Sequence, residues 1–334
     1  MDIRELDKQI MSNNIKNMYF FYGPEQFLLE NKIASIKKKI VSPDLEEFNY
    51  IKIDSSKVSA DEIIEALQSV PVMSDRKLVV VKNSRIFENS KSKDFSRICE
   101  ELSELPDYLC VVFVEKELNK NKEKNLSGFK GNVIKFDLLQ QSQFELWLEK
   151  MFDEQGKSIL MRDIKEISQR CGFSMASAYN EMNKLISFVG ERKQITSDDV
   201  DRVVSRTIEA KIFEIIDGIA LKRTSKTLEE IRMLEVSGEN ASMVMTLIST
   251  RISELLMVKH LLSERLTTSE VEGYFEPKRP SFVVKKLIDQ SKKFEEDYLR
   301  KMALKGLEYT SDVRSGLLDK WIAVEMYVAE MINN

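Results

Sequence analysis

The chain has 334 residues, 51 lysines and arginines against 55 aspartates and glutamates, and a 43% hydrophobic, 32% charged composition. This fits a folded protein of two or three domains and excludes global disorder. With one histidine and three cysteines, a multi-histidine metal centre is excluded and any catalytic triad must use His260.

Cys99, Cys110 and Cys171 contain no C-x-x-C pair and fit reduced cytosolic thiols. No apolar run approaches the roughly 18 residues of a membrane span. The charged first ten residues do not resemble a signal peptide, so a cytoplasmic address and no membrane partner are expected.

Along residues 1–139, short apolar runs alternate with helical patterns. Candidate strands at 18–22, 48–53, 78–81, 109–114 and 133–136 recur about every 25–30 residues, as βα units of a parallel sheet do. Runs 78–81 and 109–114 are apolar throughout, which predicts strands covered on both faces. Between them, Leu29, Ile33, Ile36 and Ile40 form one helical stripe. Ser59 and Glu62 form a capping box before Ile63, Ile64 and Leu67, and this helix is expected to run from about 60 to 70, stopped by Pro71. Segment 115–130 reads as a polar connection.

Beyond residue 140 the strand signals fade. Ser142 to Glu145 is a capping-box pattern opening a helix, and further helices are expected near 158–170, 175–189 and 196–204. Long amphipathic helices follow at 212–222, 226–235, 241–263, 280–290, 294–310 and 314–332, broken most clearly at 273–280 by Pro277 and Pro280. The expected organisation is an α/β domain over 1–139 and all-α domains over 140–206 and 207–334. Each is close to neutral, without the basic field of a dedicated nucleic-acid module.

A first strand running into a turn and helix invites comparison with the phosphate-binding motif G-x-x-x-x-G-K-[ST]. Of that motif only Gly23 is present; Leu28, Leu29 and Glu30 occupy the positions of the second glycine, the lysine and the hydroxyl residue. Leu29 cannot neutralise phosphate, and Glu30 places a carboxylate where a hydroxyl would help hold magnesium. Lys82-Asn83 after the third strand offers no acid for the metal, and Glu115 after the fourth reads as a surface carboxylate. Gly156-Lys157-Ser158 is a decoy, with Met151 where the first glycine belongs and a helix break as its simpler meaning. No catalytic residue, metal or cofactor is expected, nor nucleotide hydrolysis by this chain alone.

Over essentially its whole length the chain resembles the delta-subunit family of the bacterial DNA polymerase III clamp loader, within the AAA+ clamp-loader proteins. The resemblance rests on Tyr22-Gly23-Pro24-Glu25, on the stretch from Pro71 to Lys82, and on Ile195 to Val200. Phe213 to Asp217, Pro280 to Gln290 and Asp312 to Gly316 extend it. It implies an AAA+ module, an α/β domain with a helical lid, followed by a helical collar. It further implies a non-catalytic subunit of a DNA-directed DNA polymerase (nucleotidyltransferase) complex that binds and opens the beta sliding clamp for loading on primed DNA. Its implied partners are the clamp, the ATPase gamma/tau and delta-prime subunits, and DNA within the assembly. By the resemblance, Val72 and Met73, framed by Pro71 and Ser74, are the apolar pair that plugs a pocket on the clamp.

Taken as residues alone, Val72 and Met73 could equally pack beneath their own domain. Trp147, Trp321, Met243, Met245 and Met257 read as packing or interface residues, and Lys37 to Lys39 as a solvated helix end. Two other functions compete. An ATPase with an atypical nucleotide site is opposed by Leu28, Leu29 and Glu30. A DNA-binding adaptor predicts strongly salt-sensitive affinity, which near-neutral domains do not favour.

Overall fold

The computed structural model describes residues 1–55, 59–276 and 278–333. It divides into two compact units, Met1–Leu138 and Leu139–Asn334.

The first unit runs α1 (Ile3–Met11), β1 (Met18–Tyr22), α2 (Gln26–Ile40), α3 (Glu46–Asn49), β2 (Tyr50–Asp54), α4 (Ala60–Gln68), β3 (Lys77–Lys82), α5 (Lys93–Ser103), β4 (Leu109–Glu115) and β5 (Val133–Lys135). All five strands are parallel, in the order β2-β3-β4-β1-β5. Every residue of β4 is buried, as its unbroken apolar run predicts for a strand covered on both faces. One face carries an edge-to-face aromatic cluster in which Phe87 meets Phe20, Phe113 and Phe129 at 5.0–5.5 Å between ring centres. Against the other face lies α2, with Leu29, Ile33, Ile36 and Ile40 all buried.

Three local expectations need correction. The run 48–53 does not start as strand, because Phe48 and Asn49 end the short helix α3. The helix expected to reach residue 70 stops at Gln68: the Ser69 hydroxyl donates to the Ala66 carbonyl (2.7 Å), and Pro71 disfavours helical backbone at Val70. Segment 115–130 is more than a connection, since a 3₁₀ stretch, Lys120–Phe129, sends Leu126 and Phe129 into the core.

The second unit consists of α6 (Gln141–Glu154), α7 (Met161–Arg170), α8 (Met175–Val189), α9 (Ser197–Val203), α10 (Ile208–Ala220), α11 (Thr224–Val236), α12 (Ala241–Ser263), α13 (Thr268–Glu272), α14 (Ser281–Ser291), α15 (Glu296–Arg314) and α16 (Lys320–Asn333). Helix α6 does not use the predicted Ser142–Glu145 cap. It begins two residues earlier, capped at Gln140, whose backbone N–H donates to Gln143 Oε1 (3.0 Å), and Glu145 is buried. Pro277 lies outside the described residues, while Pro280 is the N-cap of α14. Helix α12 is long and apolar enough to cross a membrane by length and composition. Its Val244, Ile248, Ile252, Leu255 and Val258 are instead buried among α10, α14, α15 and α16.

Helix α9 shows how these ends are secured. Thr196 N–H and Oγ1–H both donate to Asp199 Oδ2 at 2.8 Å, and Arg192 Nη2 donates to Oδ1 at 2.7 Å. The Arg192 hydrogen bond, helped by those from Thr196, holds the Asp199 carboxyl down to about 2. A depressed folded-state value stabilises the native protein above the ordinary carboxylate range, and that stabilisation is lost as pH falls through about 2. Asp199→Asn keeps an acceptor for Thr196 but loses the charge paired with Arg192, and is therefore expected to lower stability at pH 7 by about 1 kcal/mol. In urea titrations the gap from wild type should close between pH 4 and pH 2. A gap independent of pH would exclude the carboxylate as its source.

Candidate functional site

Helix α4 buries Ile63, Ala66 and Leu67 and is pinned at its start by the Ser59–Glu62 capping box. It thereby delivers the chain to a turn, residues 69–76, at the edge of the sheet where the strands begin. There Val70 is 64% exposed, Val72 41% and Met73 88%. Met73 does not pack beneath its own domain. It also adopts left-handed backbone, φ +48°, which is uncommon outside glycine and asparagine. Pro71 and Ser74 are half-buried beside it.

The turn is held at both ends. Fully buried Asn49 accepts from the Val72 N–H at 2.8 Å through Oδ1 and donates to the Val72 carbonyl at 2.9 Å through Nδ2. Downstream, the Ser74 hydroxyl donates to the Arg76 carbonyl (3.1 Å), and Arg76 Nη1 donates to the Ile15 carbonyl (3.1 Å). The Lys77 N–H then joins the Tyr108 carbonyl at 2.8 Å. Asn49 is a site residue that no sequence pattern signals, because a lone asparagine next to a strand carries no spacing.

The β1–α2 turn lies at the other edge of the sheet, where the strands end. Gly23 has φ +135°, and a Cβ there would stand 2.2 Å from the Phe136 carbonyl oxygen. Around it the Phe136 N–H donates to the Tyr22 carbonyl (2.7 Å), and the Glu25 N–H to the Phe136 carbonyl (3.0 Å). Leu28 and Leu29 are buried, and the Glu30 carboxylate is ion-paired with Lys82 at the end of β3. Burial pushes the Glu25 carboxyl above its usual range. Where a phosphate loop has glycine, lysine and hydroxyl, this chain has two core leucines and a committed carboxylate. The two groups of predicted residues are thus not brought together: they flank the sheet, separated by the length of β3, whose six residues span about 20 Å.

Glu115 is not the expected surface carboxylate. It is buried, accepts from Ser84 Oγ and the Arg85 N–H at 2.8 Å each, and its carboxyl is pushed up by burial. It braces the turn after β3. In the decoy, Lys157 Nζ donates to the Gly190 and Arg192 carbonyls (2.5 and 3.0 Å), tying down the α8–α9 loop. His260 is exposed on α12, 4.0 Å from Glu296. Lys37 pairs with Glu46 at 2.8 Å, leaving Lys38 and Lys39 exposed. Among the described residues no cluster of three or more His, Cys, Asp or Glu side chains could hold a metal ion.

Comparison with known proteins adds to this geometry. Residues 19–145 match the family model for the DNA polymerase III delta subunit, and residues 209–331 match the model for the C-terminal domain of that same delta subunit. The DNA polymerase III subunit delta of Bacillus subtilis is 25% identical over 340 residues, covering 97% of this chain and 95% of that protein. The probable DNA polymerase III subunit delta of Aquifex aeolicus is 26% identical over 257 residues, 74% of this chain and 71% of that one. Among solved structures, the Bacillus subtilis DNA clamp loader delta protein superposes with a TM-score of 0.81, at 23% identity and 99% coverage of both chains. The shared fold is a parallel five-stranded α/β domain followed by helical domains.

Proposed function

Since the chain belongs to the DNA polymerase III delta-subunit family, the clamp-loader component of a replicative polymerase, we propose that it binds the beta sliding clamp through Met73 and Val72, with Pro71 and Ser74 framing them, and favours opening of the ring. The observation that carries this reading is the 88% exposure of Met73 on a turn whose backbone is already fixed. An apolar, polarisable side chain held in water is suited to filling a partner's hydrophobic pocket. Fixing its backbone beforehand reduces the ordering cost of docking. A ring is opened by such a contact only as far as the open form binds more tightly than the closed one.

On this reading residues 140–206 serve as lid and 207–334 as collar. The collar holds the protein beside gamma/tau and delta-prime, which supply nucleotide hydrolysis in the cytoplasm while primed DNA enters the complex. Leu28, Leu29 and the Glu30–Lys82 pair support a subunit without nucleotide chemistry of its own.

The test is binding of the purified chain to its cognate clamp without nucleotide, comparing wild type with Val72→Ala/Met73→Ala. The expected result is unchanged folding with affinity weakened by more than about 30-fold, since losing a buried anchor costs about 2 kcal/mol or more. Equal binding by both proteins would move the contact elsewhere. Binding that requires ATP would favour the ATPase alternative, and salt-sensitive duplex binding by the chain alone would favour the adaptor.

A further inference from the structure

Residues 72–77 leave the body of the domain and return to it. Tyr50 pairs in register with Leu78, so Asn49, one residue earlier, stands level with Lys77, where the excursion ends. From there its carboxamide reaches Val72, where the excursion begins, and makes both available backbone hydrogen bonds at 2.8 and 2.9 Å. One side chain therefore closes the neck of the loop that carries Met73.

The chemistry narrows the residue type. A carboxamide presents an acceptor and a donor side by side, as a neighbouring peptide group would. Ionised aspartate has acceptors only, and leucine or alanine has neither. Asn49 is fully buried, whereas Val72 is 41% exposed. Removing the carboxamide frees both Val72 backbone groups at the neck of an exposed loop, so the loss is read in the loop's shape, with folding checked separately. The strained feature next to the neck is Met73, at φ +48°. A left-handed residue persists only where its surroundings enforce it.

We infer that Asn49 is a positioning residue for partner binding: by clamping both backbone groups of Val72 it holds the Met73 turn in its docking shape before the partner arrives. This rests on the function proposed above, and its test separates the two. Affinity for the clamp is measured for wild type, Asn49→Ala, Asn49→Asp, Met73→Ala and the double variant Asn49→Ala/Met73→Ala. Native folding of each is checked by thermal unfolding, and exchange of the Val72 amide proton is followed in the unbound chain.

The loss of two hydrogen bonds predicts about tenfold weaker binding for Asn49→Ala, with faster exchange at Val72. Asn49→Asp keeps the acceptor for the Val72 N–H but sets a second oxygen against the Val72 carbonyl, so it should bind at least as weakly as Asn49→Ala. In the Met73→Ala background, Asn49→Ala should cost less than about twofold more, because a residue acting through the tip has nothing left to position. Equal losses in both backgrounds, or full affinity in a folded Asn49→Ala or Asn49→Asp protein, would overturn the inference while leaving the Met73 contact standing. If Met73→Ala itself binds like wild type, the functional reading fails, and the positioning role fails with it.

Discussion

Met73→Gly should leave the first unit at least as stable as wild type while weakening clamp binding by more than about 30-fold, the scale of a lost anchor of about 2 kcal/mol. The two halves of this result have separate causes. Methionine in left-handed backbone carries a penalty of roughly 1–2 kcal/mol that glycine does not. Against this, glycine adds about 0.5–1 kcal/mol of chain entropy to be lost on folding. At 88% exposure the Met73 side chain contributes almost no burial to its own domain. Urea unfolding should therefore show an unchanged or slightly raised midpoint. Met73→Leu, which keeps an apolar side chain of similar volume, should retain most of the affinity. A large fall in stability for the glycine variant would mean that the side chain is structural after all.

Gly23→Ala should do the reverse, damaging the fold without touching the exposed tip. The new methyl would lie 2.2 Å from the Phe136 carbonyl oxygen and 2.7 Å from its carbon, both backbone atoms that no rotamer change can move aside. The φ of +135° is in addition closed to side chains other than glycine's. Relief requires displacing β5, which breaks the Phe136–Tyr22 and Glu25–Phe136 hydrogen bonds. A loss of about 3 kcal/mol or more is expected, in the range of strain and broken hydrogen bonds combined. Chemical denaturation followed by tyrosine fluorescence would measure it, and a loss below about 1 kcal/mol would show that β5 yields easily. The glycine shared with phosphate loops is in this chain a packing requirement between β1 and β5.

What is legible in the sequence follows from what burial writes into it. The run 109–114 is apolar because both faces of β4 are covered, and the stripe on α2 is regular because one face is. Helix α12 matches its predicted limits because Asn240 caps one end and the apolar pattern fades at the other. The failed phosphate motif is equally plain, since it needs specific residues at fixed spacing. Features decided by long-range hydrogen bonds are not. Glu115 reads as a surface acid until Ser84 and Arg85 are seen to close over it. Asn49 and Val72 stand 23 residues apart with no pattern joining them. Helix α13 has its signal in Thr267 and Glu270, a capping box beside a segment that reads mainly as a break. At the start of α6 two polar starts overlap, Gln140 with Gln143 and Ser142 with Glu145, and the first is the one that forms.

The placement of the tip has a mechanical consequence. Residues 69–76 feed directly into β3, which is hydrogen-bonded along its length to β2 on one side and β4 on the other. A pull on Met73 transmitted along β3 loads both ladders in shear, so their hydrogen bonds are stretched together instead of being unzipped one after another. The same tip on the edge strand β5, with one short ladder, would concentrate its load on far fewer bonds. A protein that strains another must resist the equal and opposite force. If the proposed ring-opening role holds, the reaction would enter the sheet through an interior strand, where the load is shared on both sides.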